Sequence, residues 1–134
     1  MKQVLIGYAT NVNGGKELED QVTALSENKC NLVIVNTKPD NSQLEYVYEY
    51  AKAQVNGKQK VIIIAASFDV ISPNAKVRAA IIEKFDAIGI SIRFLKEHVE
   101  TGNAIGRMRA EGLDTSGMYR VNALSFPPKK QARR

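Results

Sequence analysis

Apolar residues in the first 94 positions alternate between short continuous runs and stripes at helical spacing. The runs are short and rich in β-branched side chains, which is typical of buried strands. The strand candidates are residues 3–8, 32–35, 61–66 and 90–94. Between these runs, apolar residues recur every three or four positions, as they do in amphipathic helices. The helix candidates are residues 16–28, 43–55 and 75–88.

This alternation predicts the fold class. Strands that alternate with helices favour an α/β domain in which a mostly parallel sheet of about four to five strands has helices on both faces and right-handed crossovers. Residues 61–66 are almost wholly apolar, as in a central parallel strand buried on both sides. Residues 101–111 are compatible with a short helix, and residues 112–134 form an irregular pattern. We therefore expect a domain over residues 1–110 and an irregular tail over 111–134.

Turn-forming residues mark the predicted helix ends. Gly57 follows Asn56 and predicts a left-handed stop for the second helix. Ser72 or Asn74 is the expected N-cap of the third helix, and Gly89 its end. The predicted core stripe of that third helix consists of Val77, Ile81, Phe85 and Ile88.

The composition fits one globular domain of 134 residues with 44% hydrophobic and 25% charged content. No apolar run approaches the roughly 18 residues of a membrane span, and the N-terminus lacks a secretory signal pattern. Cys30 is the single cysteine, so an internal disulfide is excluded. These features together predict a cytoplasmic protein with Cys30 as a packing residue.

The net charge of +5 comes entirely from the last part of the chain. Residues 1–100 carry twelve basic and twelve acidic side chains, whereas residues 101–134 carry seven bases and two acids. Any attraction to nucleic acid or another polyanion is therefore predicted to lie in the tail. The candidate phosphate-binding residues are Lys129, Lys130, Arg133 and Arg134, with Arg107, Arg109 and Arg120 as additional bases. The alternative is a solvated, disordered terminus.

Few residues suggest other chemistry. Residues 10–17 resemble a phosphate loop poorly, because Thr10 replaces the first glycine and Glu17 would repel a phosphate. His98 has no metal-ligand partners at diagnostic spacing, so we expect a surface histidine and no metal or cofactor. Asp69, just after the third strand, could be functional or could cap the next turn.

The segment EKFDAIGISIRF, with several shorter segments elsewhere in the chain, resembles the catalytic domain of serine recombinases of the resolvase and invertase group. Residues 83–94 (EKFDAIGISIRF) carry the clearest resemblance. The other matching segments are residues 99–101 (VET), 106–108 (GRM), 6–9 (IGYA), 21–22 (QV), 24–25 (AL) and 68–69 (FD). The resemblance spans about residues 4–108 and implies a resolvase catalytic-domain-like fold.

The reactive residues of that family are missing from the matching positions. Serine recombinases attack a DNA phosphodiester with a serine hydroxyl, and several arginines stabilise the charge that develops on the phosphate. Thr10 stands where the family has an arginine, and Val12 stands where it has the serine; both follow Tyr8. Val70 and Pro73, which follow Asp69, stand where the family has two further arginines. We call these six residues the degenerate crevice positions and expect a protein without this enzymatic activity.

The resulting hypothesis is a catalytically inactive serine-recombinase-like protein that acts as a DNA-associated or regulatory and assembly module. Its expected partners are further copies of itself, DNA through the tail, or a related recombinase, with no membrane. One alternative is a structural or protein-binding component of a mobile element or phage that binds no nucleic acid. A second is a binder of a small phosphorylated ligand at residues 11–16.

Overall fold

The computed structural model describes residues 3–11, 15–37 and 43–113, and these residues form alternating strands and helices. The strands are β1 (Gln3–Thr10), β2 (Leu32–Asn36), β3 (Lys60–Ala65), β4 (Ser91–Phe94) and β5 (Val99–Glu100). The helices are α1 (Gly15–Glu27), α2 (Leu44–Asn56), α3 (Phe68–Ile71), α4 (Ala75–Asp86) and α5 (Ala104–Ala110). The predicted short helix after residue 100 is therefore present as α5. The predicted irregular tail lies outside the described residues from residue 114 onward.

The five strands form one sheet in the order β2-β1-β3-β4-β5. The first four of these strands run parallel, and β5 pairs antiparallel with β4. The predicted α/β class with a mostly parallel sheet is confirmed. The periodic pattern did not reveal β5 and α3, because two and four residues are too few for any spacing to repeat.

Side chains along each central strand alternate between two hydrophobic layers, as pleated strands require. Ile6 and Tyr8 of β1 face a large cluster that includes residues of α2, α3, α4 and α5. Ala9 faces a smaller cluster in which α1 contributes Leu25. Helices therefore lie on both faces of the sheet, and among the described helices α1 alone packs on the second face.

The predicted core stripe of the third helix is confirmed at Phe85, with Ile81 and Ile88 packed partly buried against the core, and it is wrong at Val77. In α4 the buried residues are Arg78, Ile82 and Phe85, whereas Val77 is 47% exposed. Neighbouring positions on a helix differ by about 100° around its axis, so Val77 points well away from the buried side chain of Arg78. An apolar stripe does not anticipate Arg78, whose buried guanidinium contacts α3 and its C-cap and the end of α5.

Local turn signals were mostly correct. The Asn74 side chain caps α4 by accepting hydrogen bonds from the backbone N–H groups of Lys76 and Val77, and Gly89 has a φ of 83°. The C-terminal end of α2 differs from the prediction. Gly57 has a φ of −83°, and the residue in the left-handed conformation is Lys58. The Gly57 N–H bonds back to the last turn of α2, so the reversal occurs one residue later.

None of the helices in the described part of the chain has the length and apolar content needed to cross a bilayer.

Candidate functional site

The carboxyl ends of the parallel strands border an open cleft of about 690 Å³. In open α/β sheets this edge is the usual location of a ligand crevice. Residues from α1, from the segment after β3 and from the segment after β4 form its walls. The lining residues are Glu17, Asp20, Gln21, Ala66, Ser67, Asp69 and Lys96.

Gln21 of α1 holds the end of β1 through its side-chain amide. Its Nε2 donates to the Thr10 carbonyl oxygen at 2.8 Å, and its Oε1 accepts from the Thr10 N–H at 3.1 Å. β3 ends at Ala65, opposite Tyr8, so β1 continues beyond its neighbour. The Gln21 carboxamide thus replaces the backbone of a missing strand residue. Thr10 and Gln21 are both buried, and Gln21 also lines the cleft.

We expect Gln21→Ala to lower the free energy of unfolding by about 2 kcal/mol, since both hydrogen bonds to Thr10 are lost. Gln21→Glu should be pH-sensitive, because only the protonated carboxyl can donate to the Thr10 carbonyl. The folded-state pKa of the introduced carboxyl then lies above its unfolded value of about 4.3. The variant is therefore most stable below that pH and loses stability as pH rises. Urea unfolding at acidic and neutral pH measures both effects.

Thr23→Ala, at an exposed position of the same helix, is the matched control and should change stability by less than about 0.5 kcal/mol. The bridge between Gln21 and Thr10 would be refuted if Gln21→Ala behaved like this control. It would equally be refuted if Gln21→Glu followed the pH dependence of the wild-type protein.

The segment after β3 begins α3, and a distant residue caps that helix. Both carboxylate oxygens of Glu97, in the turn between β4 and β5, lie 3.2 Å from the Phe68 N–H and accept from it. The N-cap position, Ser67, makes no side-chain capping bond. Asp69 is exposed in the first turn of α3 and lines the cleft. Of the two roles considered for Asp69, the structure assigns the capping to Glu97 and leaves the Asp69 carboxylate facing the cleft.

The charges lining the cleft are mostly negative. Glu17, Asp20 and Asp69 contribute carboxylates, and Lys96 contributes the one basic side chain among the described lining residues. A phosphodiester placed here would meet like charges, which repel it. The same carboxylates weigh against a phosphorylated ligand at residues 11–16, of which residues 12–14 lie outside the described part.

Arg78, the first arginine of the chain, is buried away from the cleft. Its Nη1 donates to the Ser72 carbonyl at 2.8 Å, and its Nε donates to the Ala110 carbonyl at the end of α5. The guanidinium carbon lies 4.7 Å from the centre of the Phe68 ring, within range of a cation–π interaction. Arg78 therefore joins α3, α4 and α5 and serves the fold.

The other described arginines also lie outside the cleft. Arg93 pairs with Glu100 at 2.9 Å across β4 and β5. Arg107 of α5 contacts Asp86 at 2.7 Å and Glu111 at 2.9 Å. The hydrogen bond to Glu111 is the main cause that raises the pKa of Arg107 above its ordinary value. Two carboxylates thus already compensate the charge of Arg107, while Arg109 is exposed on α5.

The remaining degenerate crevice positions occupy different environments. Tyr8, Thr10 and Val70 have buried side chains, and Pro73 is exposed in the turn before α4. Only Asp69 of the described members lines the cleft. The residues outside the described part of the chain are Val12, Arg120, Lys129, Lys130, Arg133 and Arg134.

Cys30 and His98 match their sequence expectations. Cys30 is half-buried, and this burial raises the pKa of its thiol while Arg93 lowers it to a smaller extent. It is therefore a packing residue rather than an activated thiol. His98 is exposed in the turn between β4 and β5. Within the described ranges, no three His, Cys, Asp or Glu side chains are grouped so as to hold a metal ion.

Comparisons with known proteins identify the fold. No protein-family model matches the chain. No curated protein sequence matches it either. Among solved structures, the crystal structure of the N-terminal catalytic domain of TP901-1 integrase is similar, with a TM-score of 0.58 and 14% sequence identity. The alignment covers 81% of this chain and 88% of that domain. The chain thus has an α/β fold similar to the catalytic domain of a serine recombinase.

Proposed function

We propose that this protein is a serine-recombinase-like domain that does not cleave DNA and acts as a DNA-associated assembly or regulatory module. The observation that carries the proposal is the lining of the cleft. A recombinase-like fold surrounds three carboxylates there, and the described arginines are engaged or placed elsewhere. A cytoplasmic location, inferred from the single cysteine, belongs to the same proposal.

The chemistry of strand cleavage explains why this lining matters. Attack on a phosphodiester needs a nucleophile and fixed cationic donors for the developing negative charge. Loss of one such donor lowers the rate on the order of a hundredfold. Val12 has no nucleophilic atom, and Thr10 is buried with its backbone bonded to Gln21. Carboxylates in place of cations would add repulsion to that loss.

Association with DNA is assigned to the basic tail rather than to the cleft. Lys129, Lys130, Arg133 and Arg134 supply four of the seven basic side chains in residues 101–134. Each base that contacts a phosphate releases condensed counterions, so such binding weakens steeply as salt rises. In this proposal the domain supplies contacts to another copy or to a related recombinase, and the tail holds the assembly on DNA.

One experiment tests both halves of the proposal. Purified protein is incubated with supercoiled plasmid at a series of salt concentrations, and gels report both binding and strand breaks. We expect binding without nicks and without protein joined covalently to DNA. Deleting residues 127–134 should make the dependence of log affinity on log salt shallower by about 3 to 4, since four bases are removed.

A charge-matched control replaces the exposed Lys52, Lys58, Lys60 and Lys76 with glutamine. This variant loses the same net charge but should keep the original salt slope. An equal effect of control and deletion would refute a specific role for the tail. An active serine recombinase is the positive control for strand breaks. Nicking of the plasmid by the present protein under the same conditions would refute the proposal that its cleft is inactive.

The acidic cleft also favours a second candidate of another class. A structural or protein-binding component would use Glu17, Asp20 and Asp69 to contact a basic protein surface rather than nucleic acid. The absence of any plasmid shift at low ionic strength, together with a large stable assembly in light scattering, would favour this candidate over DNA association.

A further inference from the structure

We infer that the outer edge of β2 is a homodimer contact at which two copies pair their β2 strands antiparallel and join two sheets into one. β2 ends the sheet, and among the described strands it pairs with β1 alone. The inference names a surface for the self-assembly in the proposed function, and it is argued from the sheet edge rather than from the chemistry of the cleft.

The first argument is that β2 lacks the features that usually protect an edge strand. Exposed edges normally carry charged side chains, proline or a bulge, since unpaired backbone groups otherwise recruit another strand. Leu32–Asn36 (LVIVN) contains no charge and no proline, and Val35 is 39% exposed. The opposite edge of the sheet differs, because β5 has two residues and α5 packs closely against it.

The second argument is the direction of the backbone groups. The Asn11 N–H donates to the Asn36 carbonyl at 3.0 Å, which places the Asn36 carbonyl on the side facing β1. In a parallel ladder, alternate residues of a strand bond to the same neighbour. Ile34 therefore also bonds towards β1. The N–H and C=O groups of Val33 and Val35 consequently point outward, away from the sheet.

This spacing makes the edge complementary to itself. When two β2 strands run antiparallel around a two-fold axis at Ile34, Val33 of each copy lies opposite Val35 of the other. Such a pair exchanges N–H···O=C bonds in both directions. The two Ile34 residues then form a non-hydrogen-bonded pair with their Cα atoms about 4.5 Å apart. A contact in which both copies use the same residues is the usual form of a two-fold dimer.

The helices leave room for this pairing. The β1 strands of the two copies would lie three strand spacings apart, which is roughly 14 Å. A helix with its side chains is about 10–12 Å wide, so two α1 helices centred over β1 fit side by side. The pairing also adds cross-strand contacts between Val33 and Val35 on the α1 face and between the Ile34 side chains on the other.

Hydrogen exchange measured by NMR at several protein concentrations tests the inference on the unmodified chain. The amides of Val33 and Val35 should become more protected as concentration rises, because the dimer satisfies them. The amide of Ile34 should stay protected at all concentrations, because it bonds to β1. Rapid exchange at Val33 and Val35 at every concentration would overturn the proposal.

Two variants give an independent readout. Val35→Lys should weaken the dimer by about tenfold or more in sedimentation equilibrium, because it places a charge on the pairing edge. Val77→Lys, at the exposed valine of α4, is the matched control and should leave association unchanged. In a Cys30→Ser background, Ile34→Cys should form an intermolecular disulfide, since the expected Cα separation lies within the disulfide range. The proposed β2 pairing would be contradicted if Val35→Lys and Val77→Lys associated equally. It would also be contradicted if the folded Ile34→Cys variant formed no intermolecular disulfide.

Discussion

Replacing Arg78 with methionine is expected to lower the free energy of unfolding by about 3 kcal/mol and the midpoint of thermal unfolding by on the order of 10 °C. Methionine retains the length of the side chain and part of its packing against Phe68. It cannot donate to the Ser72 and Ala110 carbonyls, and both acceptors lose a charged donor in a buried environment. Urea unfolding followed by circular dichroism measures the change.

Two further variants separate the explanations for this loss. Arg109→Met changes an exposed arginine of α5 and should alter stability by less than about 0.5 kcal/mol. Arg78→Lys retains the charge but loses the planar fork, so it should recover only part of the stability. If Arg78→Met matched the Arg109 control, the role of Arg78 in joining α3 and α5 would be refuted.

Replacing Gly106 with alanine is expected to cost about 2 kcal/mol, although alanine is the better helix former. An added Cβ would lie 2.5 Å from the Glu100 carbonyl oxygen and 3.3 Å from Cγ1 of Val99. The oxygen belongs to the β5 backbone, so α5 has to move away from the sheet edge. Chemical denaturation and limited proteolysis at α5 report the stability and the displaced helix.

Gly102→Ala is the control for this substitution. The added Cβ there would make ordinary contacts of 3.4 Å and longer, with side-chain atoms of Glu100 and Ser91. We expect a change of less than about 0.5 kcal/mol. A Gly106→Ala variant that is as stable as the wild-type protein would show that α5 does not pack closely on β5.

The fold and the cleft carry different information about function. The α/β fold is similar to that of the TP901-1 integrase catalytic domain. Function depends on the groups at the strand ends, and fold alone does not imply it. The three carboxylates of the cleft therefore bear more directly on the proposed loss of cleavage than the shared architecture does.

The amino-acid sequence by itself determined the architecture of this domain. Continuous apolar runs and helical stripes are local patterns, and they located all three longer crossover helices and the four parallel strands to within a few residues. Asn74 and Gly89 were identifiable because capping and positive φ depend on residues close in sequence. The expectation that the reactive serine and arginines are absent also rests on the sequence alone.

Only the tertiary structure decided how the polar residues are used. Gln21 bonds to Thr10, Glu97 caps α3, and Arg78 reaches the end of α5, across separations of 11, 29 and 32 residues. No local periodicity encodes such contacts, because they depend on how strands and helices are placed in space. The burial of Arg78 even reversed a local preference, turning Val77 outward, since a buried cation must face its acceptors.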